Sequence, residues 1–321
     1  MIMQSIHTRV AGVTFASITA LLLAGCGGGG DSSSSTDGSM TLRVTDAPVD
    51  DIYEVWVTFS KVIVQPSDEG LPRVEYEIDP PMAIELKALG SGESVALVYD
   101  EPLPAGDYSW VRLVVEPYPD TFVYDTMADA GIDFRTMLSC PSCGENQSGL
   151  KLNRPFSIEA EGIVDYTIDF DLRKSITDPV GQDGYKLRPT LRILETSVAS
   201  AQFTGTVYDD QATAGTPIDP ESCAVYVYEG SGITPDDICI EENGDLCAAS
   251  GAQPYTAAEL EATGTPREYS YLSGYVEEGP YTLALACGVE NPDLDDNLDF
   301  IGTTREEAVT GENIVDFTIS N

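Results

Sequence analysis

The sequence predicts an all-β protein made of two antiparallel β-sandwich domains. The clearest strand covers residues 164–172, where every second residue is apolar: Val164, Tyr166, Ile168, Phe170 and Leu172. This period-two alternation is typical of a strand with one buried and one exposed face. Turns rich in proline and glycine separate many such segments, and helical periodicity is confined to a short turn near 82–90. Many short strands between turns favour a sandwich.

The first domain is expected over residues 41–197, and its strands follow in chain order. Besides residues 164–172, the pattern predicts strands at 53–64, 108–116, 155–160 and 185–195. Trp56 and Trp110 lie in two of these strands among alternating apolar partners. That setting indicates core positions for both, the alternative being an exposed platform on which sugar rings stack.

Charged residues concentrate on and just after the strand at 164–172. Because alternate residues of a strand share a face, we expect Asp169, Asp171 and Arg173 on the outward face. A basic cluster follows: Arg173, Lys174, Lys186, Arg188 and Arg192. We expect its members to pair with these and neighbouring acids, an anion-binding patch being the alternative. A glycosidase would need two carboxylates in a cleft, and nothing in the sequence indicates the cleft.

The second domain is expected over residues 198–321. Strands are predicted at 202–208, 223–228, 280–287 and 313–319. A shift in charge marks the boundary, because Arg267 and Arg305 alone oppose 24 acidic residues between Asp209 and Asp316.

The chain opens with features of an exported, lipid-anchored protein. Residues 1–25 read as a signal peptide, with an apolar run too short to span a membrane. The quartet Leu23-Ala24-Gly25-Cys26 resembles a bacterial lipobox, which implies cleavage before Cys26 and lipidation of that cysteine. Residues 26–40 form a Gly/Ser-rich tether. Gly27 is not the aspartate that retains many lipoproteins at the inner membrane, so by analogy we expect the outer membrane.

Charge and histidine content exclude several functions. The chain has 54 acidic and 16 basic residues, and Arg9 belongs to the predicted leader. Nucleic acid and anionic membrane surfaces are therefore disfavoured as partners, whereas cations, or simply solubility, are favoured. The single histidine also lies in the leader, which excludes histidine-dependent nucleophilic catalysis and imidazole-based zinc sites from the mature protein.

Six cysteines remain beside Cys26, an even number that predicts three disulfides in an exported protein. Strand alternation turns Cys223 and Cys287 inward, so we expect them to pair across the second core. Cys239 and Cys247 would then close a short loop. Cys140 and Cys143 have the spacing of a redox motif but lack its βαβ context, so a structural loop disulfide is expected.

One acidic loop has the start of a calcium-binding pattern. Asp293, Asp295, Asn297 and Asp299 supply oxygen ligands at alternate positions, as an EF-type loop does. Leu298 replaces the turn glycine and Thr304 the closing glutamate, so a true EF-hand is not expected. An irregular Ca²⁺ loop and a solvated acidic loop both stay open, and Ca²⁺ is the single cofactor the sequence suggests.

Several motifs carry a family resemblance: Thr45-Asp46-Ala47-Pro48, Pro104-Ala105-Gly106-Asp107-Tyr108 with Arg112-Leu113, Asp169-Phe170-Asp171-Leu172-Arg173-Lys174-Ser175, and Gly184-Tyr185-Lys186-Leu187-Arg188-Pro189. Together they resemble the domain-of-unknown-function 4382 family over about 41–196. The resemblance implies an exported, often lipid-anchored, β-rich domain. Because that family has no established activity, it assigns no catalytic residue.

The second domain has a resemblance of its own. Its Gly279-Pro280-Tyr281-Thr282-Leu283 segment resembles the last strands of transthyretin-like or carboxypeptidase-regulatory-like sandwiches. The resemblance implies an Ig-like or transthyretin-like arrangement of the second domain.

These observations predict a lipid-anchored protein of the bacterial envelope with a non-enzymatic role in binding, adhesion or scaffolding. A carbohydrate-binding accessory lipoprotein is the alternative, and a carboxylate-dependent hydrolase a lesser one. The expected partners are the membrane, through the lipid anchor, and a protein or glycan. Nucleic acid is not expected.

Overall fold

The computed structural model describes residues 37–47, 52–89, 93–141, 143–144, 149–178, 183–196, 201–210, 217–238, 252–288, 298–309 and 311–319. These residues belong to one compact unit. The predicted leader and Cys26 lie outside them. Among the described residues, none of the helices has the length and apolarity needed to cross a membrane.

The first half of the chain is built almost wholly from strands. They are β1 (Asp37–Ala47), β2 (Glu54–Pro66), β3 (Val74–Glu85), β4 (Val95–Pro104), β5 (Gly106–Val115), β6 (Phe122–Tyr124), β7 (Thr136–Ser139), β8 (Leu150–Leu152), β9 (Phe156–Ile158), β10 (Ile163–Asp171), β11 (Ile176–Thr177), β12 (Tyr185–Leu187) and β13 (Leu191–Glu195). Two short helices, α1 (Met127–Gly131) and α2 (Leu172–Ser175), interrupt them. The turn predicted near 82–90 is the end of β3 and a 3₁₀ helix, Lys87–Leu89.

Two sheets enclose the first core. Sheet I has the strand order β13-β10-β1-β4, and sheet II has the order β11-β12-β7-β6-β2-β5-β8, with β3 paired to β2 and β9 to β5. Alternating β-branched and aromatic residues of β2 supply one wall, with Val55, Val57 and Phe59 all fully buried. The rings of Phe59 and Phe170 meet edge to face, with their centroids 5.9 Å apart, and so join the two sheets.

Sheet I differs from the sequence prediction in where its first strand begins and in the direction of one strand pair. β1 begins at Asp37, so residues 37–40, assigned to the tether, belong to the first strand. Met40 is fully buried in the core. β1 also runs parallel to β10, with Leu42 opposite Tyr166, and antiparallel to β4. The all-β class is confirmed, but sheet I is mixed, and so is sheet II, where β12 runs parallel to β7.

The second half forms two further sheets. Its strands are β14 (Ala201–Asp209), β15 (Cys223–Glu229), β16 (Thr256–Glu259), β17 (Glu261–Ala262), β18 (Glu268–Leu272), β19 (Gly279–Cys287), β20 (Asp299–Ala308), β21 (Gly311–Ile314) and β22 (Phe317–Ile319), and Pro220–Ser222 is a 3₁₀ helix. Sheet III has the order β17-β18-β14-β21 with β22 also on β14, and sheet IV has the order β16-β15-β19-β20.

Sheet IV is buried on both faces. Val225 and Val227 of β15 point into the core shared with sheet III, while Tyr226 and Tyr228 point into a second cluster on the other side. Every residue of β15 except Glu229 is buried. In sheet III, a side chain at Gly205 would come within 1.8 Å of the Val315 carbonyl oxygen, so glycine there permits the close approach of the last strands.

Candidate ligand-binding groove

The groove begins with Trp56 on the outer face of sheet II. Its chain neighbours Val55 and Val57 point into the core, so strand alternation turns the indole the other way. In register, Trp56 lies between Phe122 of β6 and Glu85 of β3. The indole is half-buried, as is that of Trp110, and neither belongs to the core. The prediction that both tryptophans are core residues is therefore wrong.

Around Trp56 the surface forms an open groove with a volume of about 610 Å³. Its lining combines aromatic, small and charged side chains: Trp56, Thr58, Pro81, Ala83, Glu116, Asp120, Phe122, Tyr124 and Arg135. The Trp56 and Phe122 rings lie nearly parallel, at 13° and with centroids 6.1 Å apart. Phe122 also meets Tyr124 edge to face at 5.1 Å.

Two carboxylates hold the Trp56 end of the groove. The indole Nε1 of Trp56 donates to Glu54 Oε2 at 2.6 Å. Glu85 accepts hydrogen bonds from the backbone N–H groups of Val55 and Ala88, at 3.1 and 2.6 Å. Burial raises the pKa of Glu85, although these backbone donors work against the shift. The indole orientation is thus fixed before any ligand arrives.

The opposite end carries Arg135, whose guanidinium group contacts Asp133 and the ring of Phe122. Tyr124 donates its hydroxyl hydrogen to Asp133 Oδ1 at 2.5 Å, and Arg135 Nε donates to the same oxygen at 2.8 Å. The guanidinium carbon of Arg135 lies 4.2 Å from the Phe122 ring centroid. The hydrogen bond from Tyr124, and then that from Arg135, lower the pKa of Asp133.

Exposed apolar side chains lie next to Arg135 in the chain. Thr126 caps the start of helix α1, and its hydroxyl accepts the Asp129 backbone N–H at 3.2 Å. The segment after it exposes Ile132 and Phe134, at 75% and 62%. Apolar surface beside an aromatic groove is typical of binding sites rather than of plain solvated surface.

The charged residues predicted on the outward face of β10 do not line the groove, and they are buried. Asp169, Asp171 and Arg173 are at most 2% exposed, so the prediction of a solvated face is wrong there. The reason is that the second half of the chain covers this end of the strand. Gly274 of the second half lies against Asp169, because a Cβ at this position would be in ordinary van der Waals contact, 3.5 Å, with Asp169 Oδ2.

Within this junction the predicted pairing of acids and bases is present. Arg192 Nε donates to Asp169 Oδ2 at 3.0 Å, and Lys174 Nζ lies 3.1 Å from Asp171 Oδ2. Burial alone would lower the pKa of Arg192, but the charges of Asp169 and Asp171 outweigh it and raise that pKa. Two of the basic residues therefore neutralise buried carboxylates and are not free to bind anions.

The same charges reach across to the second half. Arg173 Nη1 donates to the Tyr226 hydroxyl at 2.9 Å, and Lys174 Nζ donates to the carbonyl of Pro254. The guanidinium carbon of Arg192 lies 4.3 Å from the centroid of the Tyr255 ring. This arrangement joins the two halves and uses these charged side chains for buried contacts between them.

The other predicted site residues divide between described and undescribed parts of the chain. Disulfides join Cys223 to Cys287 and Cys140 to Cys143. Cys239 and Cys247 lie outside the described residues, so their pairing stays a prediction. So do Asp293, Asp295 and Asn297, while Asp299 is described only as the backbone start of β20. Calcium binding therefore stays a prediction, and the described residues contain no cluster able to hold a metal ion.

Comparison with known proteins places the groove within a family domain. Residues 37–189 match the family described as Domain of unknown function (DUF4382). Over these residues the chain belongs to the DUF4382 family. Each residue lining the groove lies within the DUF4382 domain, as do Asp169 and Asp171. The match ends at residue 189, so the transthyretin-like resemblance of the second half stays a prediction.

Solved structures resemble the chain only distantly. A leucine-rich repeat protein from Bacteroides thetaiotaomicron shares 9% identity at a TM-score of 0.21, over 89% of this chain and 27% of that one. The minor pilin GBS52 of Streptococcus agalactiae shares 10% at 0.20, over 87% and 95%. The truncated tip fimbrial protein Mfa3 of Porphyromonas gingivalis shares 11% at 0.22, over 85% and 81%. Such TM-scores carry no argument about function. No curated protein matches the chain.

One pattern in the sequence marks part of the groove. Phe122 and Tyr124 alternate around Val123, which marks a short strand with an aromatic face. What it could not reveal is that β6 lies beside Trp56, because that pairing joins residues 66 positions apart.

Proposed function

We propose that this protein is a lipid-anchored, non-enzymatic binding protein of the bacterial envelope, with an adhesive or scaffolding role. The lipobox resemblance at Cys26 supports anchoring, and the residue after it supports the outer membrane as the location. In this proposal the DUF4382 domain carries the binding site and the tether gives it reach from the membrane.

The Trp56 groove is the observation that carries the proposal. Its volume of about 610 Å³ lies within the range of natural ligand pockets. A half-exposed indole supplies contact area, and Arg135, Glu116 and Asp120 supply polar groups that could orient a ligand. Because Glu54 and Asp133 already fix the indole and the guanidinium, little ordering cost remains for binding.

The alternative function, a carbohydrate-binding accessory lipoprotein, is favoured by the pair Trp56 and Phe122. A pyranose ring stacks its C–H groups on an indole face, and its hydroxyls donate to carboxylates such as those of Glu116 and Asp120. The lesser alternative is a hydrolase in which the same two carboxylates act as acid and base. Binding of a glycan without cleavage would support the accessory lipoprotein, whereas cleavage would support the hydrolase.

The experiment is a binding screen of the purified protein against neutral oligosaccharides, followed by calorimetry on the best ligand. We expect Trp56→Ala to weaken binding about tenfold, the loss of one stacked ring. Tyr99→Ala is the matched control, because Tyr99 is a 70% exposed aromatic residue on sheet I. Analysis of the incubated ligand for shortened products tests the hydrolase alternative.

Each outcome decides between the candidates. Binding that survives Trp56→Ala would remove the groove as the site. A screen without a glycan ligand, combined with envelope adhesion lost in Trp56→Ala cells but kept in Tyr99→Ala cells, would assign the groove to a protein partner. Cleaved products would replace the binding role by a hydrolytic one.

A further inference from the structure

A second aromatic site lies on the outer face of sheet II, around Trp110 of β5. The guanidinium carbon of Arg73 lies 5.2 Å from the Trp110 ring centroid, and Lys151 Nζ lies 4.7 Å from it. Arg112 follows two residues later on the same face of β5 and is directly opposite Lys151 of β8. We call Arg73, Trp110, Arg112 and Lys151 the Trp110 patch.

The Trp110 patch is basic in a very acidic protein. The chain has a net charge of −38 with 16 basic residues, three of which are in this patch. Several basic residues elsewhere are paired with acids: Lys61 Nζ, for example, lies 2.9 Å from Glu77 Oε1. Within the described part of the chain, neither Arg73 nor Lys151 forms an ion pair with a carboxylate.

Strand pairing positions the members of the patch. Gln65 of β2 lies opposite Trp110, and its Oε1 accepts the Nε–H of Arg73 at 2.8 Å. The chain passes close to Arg112 at Gly149, where an added side chain would come within 2.7 Å of Arg112 Cδ. Gly149 has a φ of 66°, a conformation that favours glycine. The cations are thus held around one indole rather than scattered over the surface.

We propose that the Trp110 patch binds a short carboxylated glycan. Guanidinium and ammonium groups recognise carboxylates through charge-assisted hydrogen bonds. When Arg73 and Lys151 turn from the indole to the carboxylate, they uncover a ring face on which the sugar can stack. Both Arg73 and Lys151 are exposed, so they can turn toward a ligand. A long polyanion would be repelled by the rest of this acidic protein, which favours a short acidic oligosaccharide.

The Trp110 patch is separate from the Trp56 groove. Trp56 and Gln65 are nine residues apart on β2, which corresponds to about 30 Å along a strand. A ligand at one site therefore does not touch the other, and this proposal stands or falls independently of the groove.

The test is calorimetry of the purified protein with tetragalacturonate and with its methyl ester, which keeps the sugar rings but removes the negative charges. We expect the acid to bind about tenfold more tightly than the ester, and its affinity to fall as salt is added. Trp110→Ala should weaken binding of the acid about tenfold and Lys151→Gln about fivefold.

Two control variants accompany these measurements. Lys186→Gln removes the same charge from β12, at the far end of sheet II, and should leave the affinity unchanged. Trp56→Ala should also leave it unchanged. Because Lys151 is exposed, Lys151→Gln is expected to fold even if Trp110→Ala does not.

Three results would overturn the proposal. The first is equal affinity for the acid and its ester. The second is absence of binding to galacturonate, glucuronate and sialic acid oligosaccharides alike. The third is inorganic phosphate binding as tightly as the glycan, which would reduce the patch to a general anion site.

Discussion

Asp133 shows how single side chains prepare the groove. Its carboxylate accepts hydrogen bonds from Tyr124 and Arg135, and both contacts favour the ionised form. The backbone at Asp133 has a φ of 53°, a left-handed conformation that places the carboxylate between its two donors. The position of Arg135 over Phe122 therefore depends on a charge that persists at acidic pH.

The contribution of Tyr124 can be measured by NMR titration of the Asp133 carboxyl. In the native protein we expect this pKa to lie below the ordinary aspartate value. In Tyr124→Phe it should be higher, because the variant removes the hydrogen bond that lowers the pKa most. Protonation below that pKa removes the ion pair with Arg135 and leaves the hydrogen bond from Arg135 Nη1 to the Pro119 carbonyl. The variant should therefore lose this ion pair at a higher pH than the native protein does.

Arg135→Gln is the companion variant, and it should also raise the Asp133 pKa, because it removes both a hydrogen bond and a positive charge beside that carboxylate. An Asp133 pKa that does not move in Tyr124→Phe would contradict the assigned cause.

Individual residues also show where sequence reasoning stops. Alternation correctly assigns Asp169 and Asp171 to the face of β10 opposite its apolar residues, yet that face is buried at this end because another part of the chain covers it. The same rule places Trp56 on one face of its strand, but it cannot tell which of the strand's two faces packs on the core. Alternation gives the relative side of a residue, whereas burial depends on which element packs against it.

At the scale of elements, the register of β15 and β19 explains the long-range disulfide. Cys223 and Cys287 lie directly opposite each other in this antiparallel pair, and Val225 lies opposite Leu285 on the same face. The alternation of each strand was visible in the sequence, so the inward direction of both cysteines was predictable. The parallel pairing of β1 with β10 was not, because hydrophobic patterns do not encode the direction of a partner strand.

We expect Cys223→Ala/Cys287→Ala to lower the free energy of unfolding by about 4 kcal/mol, because the bond closes a long loop in the unfolded chain. The sequence separation of these two cysteines is 64, against 3 for Cys140 and Cys143. The control, Cys140→Ala/Cys143→Ala, should cost only about 2 kcal/mol. Equal losses for the two double variants in urea unfolding would refute the loop-length argument.

At the scale of the whole molecule, buried aspartates are paired with arginines that neutralise their charge. Arg267 Nη1 lies 3.0 Å from the buried carboxylate of Asp209, and Arg192 serves Asp169 in the same way. The scarce basic residues are thus used mainly at buried or paired positions. In contrast, Arg73 and Lys151 of the Trp110 patch are exposed and can contact a ligand.

The junction built by Asp169, Asp171 and Arg192 determines whether the two halves unfold together. Each half has its own pair of sheets and its own core, so each could melt separately if the junction were weak. Buried charges crossing the junction oppose this, because separating the halves would leave Arg173 without the Tyr226 hydroxyl and Lys174 without the Pro254 carbonyl. We therefore expect a single calorimetric transition in the native protein.

Arg192→Ala removes the partner of a buried carboxylate, which costs about 3 to 5 kcal/mol, and we expect the transition to split into two. Arg154→Ala is the control: its ion pair with Glu277 is 3.5 Å long and exposed, and its Nη1 also donates to the Ile193 carbonyl at 2.5 Å. No buried carboxylate loses its partner, so this variant should cost about 2 kcal/mol, less than Arg192→Ala, and keep one transition. If Arg192→Ala still melts in one unshifted step, cohesion of the halves must come from apolar contacts, and the charged motif would then be available for another role in the DUF4382 domain.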